Sequence, residues 1–254
     1  MKKISLLLIL MGLFAGNLTF GQITDKDWKY LVMREDVVLP SNTTTYEAAL
    51  ADVTNFFKSN NIQGVYYLTQ LQDNYHYSHI SALNKFEDLD EGLLAYVTDP
   101  AKKAELQLLM DNLNNNLETS KIVVVKYRPE LSFTPDDNIW LEKAPYRRFN
   151  YFYFFPGMEK EIENVLMTWK TLYQQKGVEK GFRVFSGMVG LDRPVYILTT
   201  WASDPVTYQQ NLQENMKKLG DEGPKVWMST MELVRDVETI EGWYLPQYSY
   251  IPAK

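Results

Sequence analysis

One short sequence signature occurs twice in the chain, 117 residues apart. Residues 127–133 and residues 244–250 both read Tyr-x-Pro-x-x-Ser-aromatic. Self-similarity at a fixed offset indicates that one structural unit of about half the chain is present twice. This repeat constrains the fold strongly, because any arrangement proposed for one half must also suit the other.

The similarity extends to an amphipathic helix in each half. At an offset of 116 residues, Pro40 and Glu47 match Pro156 and Glu163. Apolar residues then follow with the spacing of a helix that buries one face. In the first half these are Tyr46, Ala49, Leu50, Val53, Phe56 and Phe57, and in the second they are Ile162, Val165, Leu166, Trp169, Leu172 and Tyr173. We expect helices over residues 44–59 and 158–175, the first opened by a capping box of Thr44 and Glu47.

Each half reads as strand, helix, strand, strand, helical region and strand. Gly64 and Gly181 precede the two hairpins, where the offset becomes 117. The predicted strands are 30–39, 65–70, 77–83, 122–127, 148–155, 182–188, 195–201 and 239–244. Further helices are expected over 87–97, 101–117, 205–220 and 226–235. We predict four parts: a signal peptide at 1–21, a first α+β repeat at 22–133, a linker at 134–144 and a second repeat at 145–254.

A βαββαβ unit is the split-βαβ, ferredoxin-like arrangement, with helices on one face of an antiparallel sheet. Through its repeated helices and the hairpins after Gly64 and Gly181, the chain resembles the dimeric α+β barrel superfamily in a single-chain form. The predicted fold class is therefore α+β, with two tandem ferredoxin-like repeats packed face to face as a pseudo-twofold barrel. The helical segments at 101–117 and 226–235 depart from the minimal unit.

The start of the chain predicts export. Lys2 and Lys3 precede the apolar run 4–14, and a plausible cleavage point lies between Gly21 and Gln22. This is the layout of a secretory signal peptide, and the run is shorter than the roughly 20 apolar residues that span a membrane. We therefore expect a periplasmic or secreted protein without stable membrane insertion. The absence of cysteine from the sequence excludes disulfides and thiolate metal sites.

Charge and composition restrict the partners. The formal net charge is −6, and removal of residues 1–21 with their two lysines makes it −8. Nucleic-acid phosphates need clustered basic partners, so we expect no nucleic-acid binding. The chain has 17 Tyr, 12 Phe and 6 Trp, which either fill the core or line a cavity for an apolar or aromatic molecule. The sequence leaves the oligomeric state open.

Strand alternation defines a candidate ligand site. Pairing across the first hairpin puts Val65, Tyr67, Ile80 and Ala82 on one face, with Tyr66 and His79 on the other. The second hairpin likewise opposes Phe182, Val184, Val195 and Ile197 to Arg183, Phe185 and Tyr196. We predict that the mixed faces turn toward the barrel interior and line a cavity between the halves. The candidate ligand-binding residues are Tyr66, His79, Phe185, Arg183 and Tyr196.

His76 and His79 are the only histidines in the sequence. On a strand their spacing sends the two rings to opposite faces, so no metal site is predicted. The resemblance implies haem ligation through a helix histidine, which the predicted helices lack, or cofactor-free oxidation of aromatic substrates, in which Tyr66, His79 and Arg183 would activate the substrate. No cofactor is predicted. His79 is the candidate that titrates near neutral pH.

Recognised phosphate loops, nucleophile elbows and zinc-protease motifs are absent from the sequence. Three functions therefore stay open. The protein binds a small apolar or aromatic ligand between its halves, it is a cofactor-independent oxygenase-like enzyme acting in the same cavity, or it is a ligand-free structural or interaction protein of the cell envelope. The catalytic residues of such an enzyme are not identified by the sequence.

Overall fold

The computed structural model describes residues 29–83, 86–135 and 143–253. The predicted signal peptide and residues 136–142 of the predicted linker lie outside the described residues. The strands are β1 (Tyr30–Val37), β2 (Tyr67–Gln72), β3 (His76–Ala82), β4 (Thr119–Tyr127), β5 (Tyr146–Phe154), β6 (Arg183–Val189), β7 (Val195–Ala202) and β8 (Val234–Tyr244). The helices are α1 (Thr43–Asn60), α2 (Asp88–Glu91), α3 (Pro100–Asn114), α4 (Glu159–Gln175), α5 (Pro205–Leu219) and α6 (Glu222–Met231), with short 3-10 turns at Pro40–Asn42, Gly92–Tyr96 and Pro246–Tyr248.

The eight strands form a closed barrel in the order β1-β3-β2-β8-β5-β7-β6-β4. Read within each half, the order is β4-β1-β3-β2 and β8-β5-β7-β6, so corresponding strands occupy corresponding places. The α+β class and the barrel are confirmed. The matching order is what a tandem duplication would produce, and the common origin of the halves stays a prediction.

Apolar side chains of both halves fill the barrel interior. The interior cluster contains Leu31, Met33, Val123, Val125, Tyr127, Phe149, Tyr151, Phe185, Val195, Ile197 and Ile240. The outer face of the first half packs on α1 and α3, and the outer face of the second packs on α4. Each sheet is therefore covered on both faces, as apolar residues on both sides of a strand require.

The helices predicted for the two repeated stripes are confirmed, but the predicted capping box and the predicted bounds of the last helix are wrong. Asn42 caps α1 without a side-chain hydrogen bond. Glu47 does not reach back to the cap, because its carboxylate accepts a hydrogen bond of 2.7 Å from the Tyr77 hydroxyl. The expected helix at 226–235 instead ends at Met231, and β8 begins at Val234.

The two signature segments, residues 127–133 and 244–250, make equivalent hydrogen bonds to a strand of the barrel. We call each segment a strap. Ser132 Oγ accepts from the Val184 amide at 2.9 Å and donates to the Arg128 carbonyl. Ser249 Oγ accepts from the Thr69 amide at 2.8 Å and donates to the Leu245 carbonyl. Each serine thus satisfies a buried strand amide, which explains why the signature occurs once in each half.

Candidate functional site

The predicted site residues do not share one face. In the first hairpin Thr69 pairs with His79, and in the second Val184 pairs with Leu198. The second strand of each hairpin is thus shifted by one residue from the predicted pairing, and such a shift moves every side chain to the other face. The prediction that His79 and Tyr196 point into the barrel is wrong. Both pack toward helices, where His79 contacts Tyr46 and Tyr196 contacts Glu163.

The other predicted residues lie at or near the interior. Phe185 belongs to the interior cluster, and Arg183, two residues before it on β6, stacks its guanidinium 4.8 Å from the centre of the Trp201 ring. Tyr66 lies just before β2 with a buried hydroxyl. The structure therefore does not bring Tyr66, His79, Arg183 and Tyr196 together, and a ligand-binding role for these residues stays a prediction.

A second arginine, Arg147, lies near Arg183. Arg147 is only 7% exposed, and its guanidinium donates to the carbonyls of Ala144 and Tyr146. Burial, with the nearby charge of Arg183, lowers the pKa of Arg147 to about 9. These contacts hold the chain where it enters β5.

A cavity of about 370 Å³ lies outside the barrel, between the outer face of the first half and its helices. The sheet side of the cavity is lined by residues of three strands: Val32, Arg34 and Asp36 of β1, His79 and Ser81 of β3, and Tyr67 of β2. The opposite side is lined by residues of two helices and a turn: Leu50 and Val53 of α1, Met110, Leu113 and Asn114 of α3, and Leu93, Leu94 and Tyr96 of the turn before α3. The walls are thus mostly apolar, with polar groups gathered where β1 meets β3, as in small-molecule sites.

Asp36 is the centre of the polar corner and is fully buried. One carboxylate oxygen accepts from Arg34 Nε and Ser120 Oγ, both at 2.7 Å. The other accepts from the Tyr46 hydroxyl at 2.9 Å and lies 3.6 Å from His79 Nε2. Burial alone would raise the pKa of Asp36, but His79, Arg34 and Ser120 together hold it well below its ordinary value. Asp36 is therefore an anion in the folded protein.

His79 links this corner to the second strand. Its Nε2 lies 2.9 Å from the Tyr46 hydroxyl, and its Nδ1 lies 3.0 Å from Thr69 Oγ1. The Tyr46 hydroxyl donates to Asp36, and the Thr69 hydroxyl donates to the Tyr248 carbonyl at 2.5 Å. A hydroxyl has one proton, so each presents a lone pair to His79, and both ring nitrogens then donate.

A second proton arrangement has the same heavy-atom positions. If the Tyr46 hydroxyl turns toward His79, it donates to Nε2 of a neutral ring whose Nδ1 donates to Thr69. Burial and the neighbouring Asp36 charge raise the pKa of Tyr46 well above its ordinary value, so Tyr46 keeps its proton in both arrangements.

The second half has no matching polar corner at the corresponding positions. Tyr77 donates to Glu47 of α1, and Tyr196 donates to Glu163 of α4. These two contacts align the halves, so that Tyr46 corresponds to Ile162 and His79 corresponds to Leu198. Asp36 corresponds to Phe152, because Asp36 pairs with Tyr77 and Phe152 pairs with Tyr196. Apolar side chains fill these places within the cluster packed on α4.

The residues present do not fit a haem. Both histidines lie on β3, and no helix of the described chain carries one. Both nitrogens of His79 are engaged within the protein, and His76 Nδ1 lies 2.7 Å from Glu35 at the hairpin end. Across residues 29–83, 86–135 and 143–253, no group of three histidine or carboxylate side chains is placed to hold a metal ion.

Comparison with solved structures identifies the fold. The chain superposes on an anthrone oxidase-like protein with a TM-score of 0.59 at 14% identity, covering 91% of this chain and 97% of that one. It superposes on a monooxygenase-like protein of Lactobacillus acidophilus with a TM-score of 0.57 at 6% identity, over 89% and 97% of the two chains. A mutant chlorite dismutase of Candidatus Nitrospira defluvii gives 0.54 at 10% identity, over 86% and 92%.

The protein therefore has the dimeric α+β barrel fold, as the sequence resemblance predicted. At these identities the similarity establishes the fold and no activity. No protein-family profile and no curated protein sequence matches the chain. Among the described helices, none is long and apolar enough to cross a bilayer.

Sequence reasoning missed Arg34, Asp36 and Tyr46. Alternation along β1 places Arg34 and Asp36 on the same face as the helix-packed side chains, and a carboxylate in a buried stripe is a signal that could have been used. Tyr46 belongs to the predicted apolar stripe of α1. Its burial is as predicted, and its hydroxyl supplies the contact that the stripe did not indicate.

Proposed function

We propose that the protein binds a small, mostly apolar molecule in the cavity between the first half's sheet and helices α1 and α3. The observation that supports this is the cavity of about 370 Å³, which combines mostly apolar walls with one polar corner. Pockets of this size and composition bury the body of a small molecule and orient it through a few polar groups. The ligand thus lies within the first half rather than between the halves, where apolar side chains pack.

A second candidate is an oxygenase-like enzyme that uses no cofactor. It is favoured by the position of His79, which lines the cavity and is connected to Tyr46 and Asp36. In its neutral form, His79 would release its contact with the Tyr46 hydroxyl, so that Nε2 could remove a proton from an acidic C–H or O–H group of the substrate, and dioxygen would oxidise the resulting anion. Arg34, beside His79 in the same row of the sheet, would stabilise the negative charge.

Native mass spectrometry of protein purified from its own host tests the binding proposal. We expect a retained small molecule, released on unfolding, in the wild-type protein. Met110→Trp fills the cavity from α3 and should abolish retention. Leu108→Trp, on the same helix but 70% exposed, is the matched control and should retain the molecule. Equal retention by both variants would place the ligand elsewhere, and a ligand-free protein would support the structural alternative.

The enzyme candidate is distinguished by turnover of the retained molecule. Incubation with dioxygen should convert it to a product that carries oxygen, and His79→Gln should bind the molecule without converting it. Release of the molecule unchanged by the wild-type protein would restrict the function to binding.

Export and duplication belong to the same proposal. The protein would be secreted or periplasmic, with a mature chain that begins near Gln22 and contains the two repeats joined by the linker at 134–144. N-terminal sequencing of the protein from its host should begin within a few residues of Gln22, and a sequence that starts at Met1 would reject the signal peptide.

A further inference from the structure

The polar corner carries a guanidinium that is only partly used. Arg34 Nε donates to Asp36 and Nη2 donates to Asn114 Oδ1, each at 2.7 Å. A guanidinium has five N–H donors in one plane, so its Nη1/Nη2 end carries three more. None of these three N–H groups donates a hydrogen bond to an acceptor among the described residues. The Arg34 side chain is 23% exposed and lines the cavity.

We propose that this end of Arg34 binds a carboxylate, and that the ligand is an apolar or aromatic carboxylic acid in its anionic form. The inference rests on the proposed ligand-binding function and specifies the class of ligand. A guanidinium end and a carboxylate match in plane and spacing, so that two parallel charge-assisted hydrogen bonds form. The two bonds to Asp36 and Asn114 fix the plane of the guanidinium before the ligand arrives, which lowers the entropy lost on binding.

The charges of the polar corner favour a ligand that carries one negative charge. Asp36 already accepts from Arg34, Ser120 and Tyr46, so its charge is offset within the protein. In the arrangement in which both ring nitrogens of His79 donate, Arg34 and His79 are positive and Asp36 is negative. This leaves a local charge of one positive unit beside an apolar cavity. A monoanion neutralises it, and a neutral molecule of the same shape does not.

Two probes of one shape test the proposal on the intact wild-type protein. At pH 6, 2-naphthoate carries a carboxylate, whereas 2-naphthamide is neutral. Titration by intrinsic fluorescence should show naphthoate bound about tenfold or more tightly than naphthamide, as expected for a bidentate charged pair in a partly buried site. Equal binding, or tighter binding of naphthamide, would overturn the anion proposal and leave ligand binding in place. Binding of neither probe would count against both proposals.

Substitutions of Arg34 test whether this side chain causes the preference for naphthoate over naphthamide. Arg34→Gln should reduce the affinity ratio to about twofold or less. Arg34→Lys keeps the charge without the planar fork and should give an intermediate ratio. Arg148→Gln is the matched control, because Arg148 is similarly exposed and pairs with Glu241 on the second half. It should leave the ratio unchanged, and loss of the preference in this variant would contradict the assignment to Arg34. The wild-type comparison of the probes decides the matter if Arg34 variants fold poorly.

Discussion

Asp36 is a buried charge that the surrounding donors make tolerable. An unpaired carboxylate in the interior would be very unfavourable, and Asp36 is fully buried. Arg34, Ser120 and Tyr46 each donate to it from a different element: β1, β4 and α1. The carboxylate therefore joins a helix and two strands at the wall of the cavity, and the polar corner depends on it.

Asp36→Asn tests this role through pH. The pKa of Asp36 is below its ordinary value in the folded protein, so the unfolded chain binds the proton first as the pH falls. The stabilisation is thus complete above the ordinary aspartate range and is lost below about pH 4. At pH 7 the variant should be less stable by about 2–4 kcal/mol, and urea unfolding at pH 7 and pH 3 should show the difference narrowing.

The exposed Asp52 of α1 supplies the control for this experiment. Asp52→Asn should change the free energy of unfolding by no more than about 0.5 kcal/mol at either pH. A constant difference between wild type and Asp36→Asn from pH 7 to pH 3 would contradict the predicted state of Asp36.

At the residue scale, the sequence did not predict which face of the sheet each candidate site residue occupies. The sequence predicts that His79 lies on a strand and points into the barrel, whereas the structure turns it toward α1. The physical reason is the hairpin turn: Tyr75 adopts a φ of 64°, and the turn sets Leu71 opposite Tyr77. One residue more or less in a turn inverts the facing of a whole strand, and the sequence of this turn does not settle that number.

At the scale of elements, the two straps make the same serine hydrogen bonds but have different neighbours. Ser132 and Ser249 each accept from a buried strand amide, of Val184 and of Thr69 respectively. Thr69 also contacts His79, whereas Val184 has no polar side chain. The strap of the second signature is therefore connected to the polar corner of the first half.

Replacing each serine separates stability from binding. Ser132→Ala and Ser249→Ala should each destabilise the protein by about 1–3 kcal/mol, because a buried amide loses its acceptor. Only Ser249→Ala should also change the affinity for 2-naphthoate, measured under conditions in which both variants are folded. An equal effect of both substitutions on binding would mean that the strap does not position Thr69.

The repeated helices were predicted well because their stripes are long and strongly periodic. All six stripe positions of α1 are buried, and burial against the sheet is what the spacing encodes. The predicted capping box does not form, because Glu47 accepts a hydrogen bond from Tyr77 instead. A local sequence motif indicates which hydrogen bonds are possible, and the tertiary packing determines which of them forms.

At the scale of the whole molecule, two short seams join the halves. β2 pairs with β8 through three residue pairs, and β4 pairs with β6 through four. The interior cluster draws Leu31, Met33 and Val125 from the first half and Phe149, Phe185 and Ile197 from the second. The halves should therefore hold together through the shared core when the linker is cut.

A specific protease site inserted after Asp137 tests this expectation. The cut protein should elute from size exclusion at the position of the intact protein. Its melting temperature should rise with protein concentration, because unfolding now separates two chains, while that of the intact protein stays constant. Separation of the halves into two stable folded pieces would show that each is an independent domain.

The unequal lengths of β8 and β2 leave a stretch of backbone with one neighbour. β8 spans Val234–Tyr244, but β2 pairs only with its last three residues, and the Asp73 amide donates to the Glu241 carbonyl. Within the described part of the chain, residues 234–240 therefore have strand partners on β5 alone. An edge of this kind is a template onto which a strand of another chain can add. Charged residues at Arg235, Asp236 and Glu238 oppose such addition. Replacing all three with Thr should convert the protein to a species whose light scattering grows with time and concentration, and an unchanged monodisperse profile would show that another feature protects this edge.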